Sequence, residues 1–130
     1  MKVECIKMIN NETGQDLDKS PWLTVGSIYQ VLSVFISING TIEYRLISDD
    51  NCTPALFNAV QFKIVSENLS PNWVANHELE TYFELAPKSW TTDGFWERYF
   101  DGEPEAIKCF TAEKNIIISS NQGRNLGTLG

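Results

Sequence analysis

The stretch WLTVGSIYQVLSVFISINGTIEYRLISDD, residues 22–50, decides the fold class. Residues 27–38 are rich in β-branched and aromatic side chains, Asn39-Gly40 supplies turn chemistry, and residues 41–47 run back. A strand, an Asn-Gly pair and a second strand together predict a β-hairpin closed by a type I′ turn. Gly26, just ahead of it, can take the positive φ that leads a loop into a strand.

Working outward, VECIKMI (3–9) alternates as one strand does, and NNETGQDLDKSP (10–21) is almost free of apolar residues and reads as a long loop. On the other side DDNCTPAL (49–56) interrupts the pairing and FNAVQFKIVSENL (57–69) resumes it. In SPNWVANHELE (70–80), Ser70 as a cap and Pro71 at a first helical position predict a turn or helical connector. TYFELA (81–86) reads as a further strand, closed by Pro87. Short strands joined in sequence by short connections predict an antiparallel, strongly bent barrel of four to five strands rather than a parallel α/β sheet.

The last third changes period. DGFWERYF (93–100) and PEAIKCFTAEK (104–114) have helical spacing, NIIISS (115–120) is strand-like, and NQGRNLGTLG (121–130) is a Gly-rich tail. Thr92 or Asp93 can cap the first helix, Gly102 can stop it, and Pro104 can start the next. The aromatics Phe95, Trp96, Tyr99 and Phe100 spread over one broad face and read as packing against the barrel. The expected class is mainly β with α in a single domain over 1–118. Its barrel covers about 1–87, its helical part about 91–114, and a flexible tail follows at 119–130.

Ten Lys plus Arg against seventeen Asp plus Glu give a formal charge of −7, shared by both halves of the chain. Such a surface repels phosphate backbones and favours a basic protein as partner, so direct nucleic-acid binding is not expected. The apolar runs are too short for a bilayer span, and the start lacks the apolar core of a secretory signal. A soluble, cytoplasmic protein without membrane contact is expected. Cys5, Cys52 and Cys109 are dispersed and odd in number, which fits reduced thiols.

Motifs for catalysis are missing from this pattern. His77 is the single histidine and has no second ligand at zinc spacing. Cys52 follows Asp49-Asp50, whose charges oppose a thiolate. Asp101, Glu103 and Glu105 alternate in FDGEPE, yet an EF-hand's ligand run is lacking. No enzyme, metal or cofactor is expected. Capping explains one or two of these three acids and leaves the set as a candidate contact.

The order of polar loop, WLTVGSIYQVL, turn, YRLISDD, loop and FKIVS resembles an SH3-like barrel. With FWERYFDGEPEAIKCF appended, the chain is similar to immunity proteins of bacterial polymorphic toxins, including contact-dependent growth inhibition systems. The resemblance implies a cytosolic inhibitor that binds a cognate toxin domain, often a basic nuclease, and occludes its active site. Glu43, Asp49, Asp50, Asp101, Glu103 and Glu105 are then the candidate toxin-binding acids, with Asp16 and Asp18 as further ones and Trp96 as an aromatic anchor. Two other readings stay open. One is a peptide-binding SH3-like adaptor with Trp22, Tyr29 and Trp73 in its groove; the other is a small hydrolase using Cys52 or His77 with a carboxylate.

Overall fold

The structure, a computed structural model, describes residues 1–10 and 12–129, with side chains through Ser120. Ten strands come first: β1 (Lys2–Cys5), β2 (Met8–Ile9), β3 (Asp16–Leu17), β4 (Ile28–Gln30), β5 (Ser33–Ser37), β6 (Ile42–Ile47), β7 (Pro54–Asn58), β8 (Phe62–Ser66), β9 (Val74–Glu78) and β10 (Tyr82–Ala86). Two helices follow, α1 (Phe95–Phe100) and α2 (Pro104–Leu129). All strand pairs are antiparallel, in a three-stranded sheet β4-β1-β8, a five-stranded sheet β7-β6-β5-β10-β9 and a small β2-β3 pair.

The protein is therefore mainly β with two helices, but the described strands do not close into a barrel. No pairing joins the two larger sheets, and β7 and β9 remain as edges. The expected continuous strand over 27–38 breaks at Val31-Leu32, and that break is where the chain changes sheets. Val31 N–H donates to Met1 O (3.0 Å) beside the small sheet, and Leu32 N–H donates to Arg45 O (2.7 Å) on the large one. Both side chains are fully buried, one in each of the two cores, so neither neighbour can turn outward as a single strand would require. A second crossing follows β7, through a 3₁₀ turn at Ala59–Gln61 whose start is capped by Asn58.

The hairpin itself forms, with a different turn. Only Gly40 has a positive φ (88°), Gly40 N–H donates to Ser37 O (2.9 Å), and Ser37 N–H donates to Thr41 O (3.0 Å). This is a three-residue loop ending in a glycine bulge rather than a type I′ pair. Residues 74–78, expected in a helical connector, form the edge strand β9 on β10. The strand-like NIIISS run is helical instead, because Ile117 is fully buried against the aromatic cluster beneath α2. The 119–130 segment expected as a tail is helical in backbone through Leu129, and its side chains from Asn121 onward lie outside the described residues.

The large sheet carries a core on each face. Tyr44 and Leu46 point toward the small sheet and meet Val3, Tyr29 and Phe62, with Tyr44 and Phe62 rings 6.0 Å apart. Alternation sends Glu43, Arg45 and Ile47 to the opposite face, which the 3₁₀ turn at Lys88–Thr91, α1 and α2 cover. There Trp90 stacks on Phe110 (5.1 Å between centroids) and forms the centre of the second core. Among the described residues, no helix is long and apolar enough to cross a membrane.

Candidate functional site

The six candidate acids fall into three groups. Asp49 and Asp50 shape the loop between β6 and β7. Asp49 accepts from the Tyr29 hydroxyl and from Thr24 Oγ1, both at 2.6 Å. Asp50 accepts from the Cys52 and Thr53 amides (2.9 and 2.8 Å), from Ser48 Oγ and from Thr53 Oγ1. The Thr53 donors, foremost its hydroxyl, hold the Asp50 carboxyl far below the ordinary carboxylate range. Both carboxylates are thus engaged internally. Glu43 belongs elsewhere, half-buried on the helix-side face of the sheet in one row with Phe35 and Glu84.

Asp101, Glu103 and Glu105 are all exposed at the α1–α2 junction. Glu103 lies 4.0 Å from Arg98 Nε, whereas Asp101 and Glu105 make no side-chain hydrogen bond or ion pair with the described residues. Neither Thr92 nor Asp93 caps α1, whose N-cap is Gly94 at φ 74°. Gly102, at φ 81°, ends α1 as expected. The β6–β7 loop adjoins this junction: burial raises the Tyr99 hydroxyl pKa, and the charges of Cys52 and Asp50 raise it further. Asp16 and Asp18 are exposed, but Asp16 stands in β3, paired with Ile9, where a loop was expected, and Asp18 follows that strand.

Trp96 is half-buried and packs against its neighbours. Its ring lies 3.9 Å from the Arg45 guanidinium carbon and contacts Phe95, Trp90, Tyr99 and Phe110 at centroid distances from 5.0 to 5.9 Å. The exposed aromatic of α1 is Phe100, 57% accessible and directly ahead of Asp101. With about 100° per residue, Phe100 lies roughly 140° round the helix from Phe95, too far to face the same core. Phe95 is buried, Tyr99 and Trp96 lie between them, and Phe100 emerges at the rim. Helical spacing alone contains that signal.

Sequence reasoning also missed Arg45 and Glu84. Alternation with Tyr44 and Leu46 makes Arg45 look like a solvent-facing residue, but the helices cover that face and leave it 9% exposed. Its Nη1 donates to Pro54 O (2.8 Å), while Nε has no partner. Burial pushes the guanidinium down to about 10, opposed by the charges of Glu84 and Glu43. Glu84 is half-buried on β10; burial raises its carboxyl pKa and Arg45 counteracts that rise. Together they line a cleft of about 310 Å³ between the sheet and the start of α1.

The groups invoked for other chemistries are dispersed. Cys52 adjoins the β7 edge and His77 lies on β9 at the opposite edge, three to four strand spacings away, or about 14–19 Å. Tyr29 is buried, and Trp73 Nε1 donates to Leu32 O (2.9 Å) between the cores. Neither forms an open aromatic groove with the exposed Trp22. Among the described residues no three His, Cys, Asp or Glu side chains assemble as metal ligands would. No protein-family model, curated protein or solved structure matches the chain.

Proposed function

We propose that this protein is a cytosolic immunity protein that binds a basic bacterial toxin domain, in the first instance a nuclease, and occludes its active site. The observation that carries the reading is the surface at the α1–α2 junction. Phe100 is exposed there beside Asp101, Glu103 and Glu105, and the cluster of Trp96, Tyr99 and Phe110 beneath holds it in place. An exposed aromatic ring with three exposed acids close by in the chain has the composition of a binding hot spot: the ring supplies desolvated contact and the acids steer a basic groove onto it. A nuclease must present positive charge to bind phosphate, and these carboxylates would occupy the same groove.

The reading uses the helices and does not depend on a closed SH3-like barrel. Its partner is a protein; nucleic acid and membrane have no part in it. The test is co-expression with the variable C-terminal domain of a large secreted protein encoded directly upstream. Rescued growth and co-elution of the two chains on size exclusion are expected. Continued growth arrest with separate elution would overturn the assignment for that pair.

A further inference from the structure

The cleft beside α1 holds two hydrogen-bond donors that the chain itself does not satisfy. It lies between the helix-side face of the sheet, at Phe35, Arg45 and Glu84, and residues 90–97. Trp90 is 2% exposed and Arg45 9%, and both line the cleft. Neither the Trp90 indole Nε1 nor the Arg45 Nε has an acceptor. By contrast, the Trp73 indole donates to Leu32 O (2.9 Å), and Arg45 Nη1 donates to Pro54 O (2.8 Å). Buried indole and guanidinium N–H groups normally find an acceptor, because an unmet donor carries its full desolvation cost. Glu84 lines the same cleft, half-buried, and makes no hydrogen bond or ion pair with the described residues, so neither donor reaches it.

We propose that this cleft binds the neutral carboxamide of an asparagine or glutamine side chain of the partner protein. Its oxygen accepts from Arg45 and Trp90, and its NH2 donates to Glu84. A carbonyl oxygen has two lone pairs and a primary amide two N–H groups, which matches unmet donors beside an unengaged carboxylate. The charges nearly balance: Glu84, Asp93 and Glu97 line the cleft, against Arg45 and against Arg98, whose Nη1 donates to Asp93 O (2.9 Å) at the rim. A cation would leave both N–H groups unmet, and a carboxylate would meet Glu84 as a like charge in a half-desolvated space. The six residues of α1 separate this cleft from the junction surface by about 9 Å, so one contact of ordinary size covers both. The inference rests on the proposed function and deepens it by naming a neutral side chain that the basic partner inserts.

The test needs no toxin. Isotope-labelled protein is titrated by NMR with four compounds of one shape: propionamide, the anion propionate, the cation propionamidinium and the ketone butan-2-one. Propionamide should move the Trp90 indole and Arg45 Nε–H resonances downfield and bind at least about fivefold more tightly than either ion. Butan-2-one keeps the oxygen but lacks the NH2, and should bind about threefold more weakly than propionamide. Arg45→Met should weaken propionamide about tenfold, and Lys63→Met, on the small sheet, not at all. Either ion binding as tightly as propionamide, unmoved Trp90 and Arg45 resonances, or unchanged binding in Arg45→Met would overturn the proposal. The four compounds decide on the wild-type protein even if Arg45→Met misfolds. A negative titration removes the cleft and leaves the junction reading standing; failed co-expression removes the partner and leaves the titration result intact.

Discussion

Replacing Arg45 by methionine separates charge from packing in the second core. The guanidinium's fall from its ordinary value to about 10 corresponds to roughly 3 kcal/mol of cost for holding the charge in the fold. A basic group with a lowered folded pKa carries that cost at every pH below the folded value. The cost is relieved only as pH rises from about 10 toward the ordinary value, so it is fully present at pH 7.5. Methionine removes it and keeps the aliphatic stem on Trp96, but loses the bond to Pro54 O, about 1.5–3 kcal/mol, and the cation–π contact, about 1–2 kcal/mol. Gain and loss nearly cancel, and Arg45→Met should change stability by less than about 2 kcal/mol. Arg45→Ala has no stem to fill the space beneath Trp96 and should cost about 2–4 kcal/mol. Urea unfolding at pH 7.5, followed by tryptophan fluorescence, measures both. Equal losses of 3 kcal/mol or more in the two variants would show that the charge is itself a net stabiliser and refute the reasoning.

Further outcomes follow from neighbouring groups. Glu84 has a raised folded pKa, so its contribution is fully present below the ordinary carboxylate value and is lost as pH rises through the folded one. Glu84→Gln should therefore raise Tm at pH 7 and lose that advantage below about pH 4, as scanning calorimetry of the free protein would show. Asp50 behaves oppositely: its stabilisation is present above the ordinary carboxylate value and is lost as pH falls through its lowered one. Asp50→Ala should speed amide exchange at Cys52 and Thr53, which donate to it. Ile117→Ala should cost roughly 2–4 kcal/mol in denaturant unfolding, and Ile118→Ala, at the partly open rim, below about 1 kcal/mol.

Much of the strand content, the hairpin at Gly40, the stop at Gly102 and the helix start at Pro104 were legible because each rests on local chemistry, whereas the cap of α1 was not, since Gly94 fills it in place of Thr92 or Asp93. The two-sheet arrangement was not. Val31 and Leu32 are both apolar, and only their separate burial in two cores shows that the strand is broken between them. Residues 115–118 are Asn-Ile-Ile-Ile, with strand propensity that the burial of Ile117 on the aromatic cluster overrides. Polar β9 lacks the alternation of a half-buried strand, since Asn76 is the one buried residue of its five. At the site, the exposed junction acids were readable from capping logic. Tertiary context hid the role of Arg45, which lies under helices that no pattern in β6 announces; the role of Asp50, tied into its own loop by Ser48, Cys52 and Thr53, is local and was overlooked.

The central claim is that Phe100 and the acids beside it form the contact with a basic partner. Stopped-flow binding to a basic toxin domain that co-elutes with the protein in the co-expression test, across a range of salt, tests it most directly. Phe100→Ala should accelerate dissociation at least about tenfold while leaving stability nearly unchanged, since the ring is largely exposed. Charge reversal at Asp101, Glu103 and Glu105 should slow association at low salt, with the difference shrinking as salt rises. A complex that forms and dissociates at wild-type rates in both variants would contradict the account.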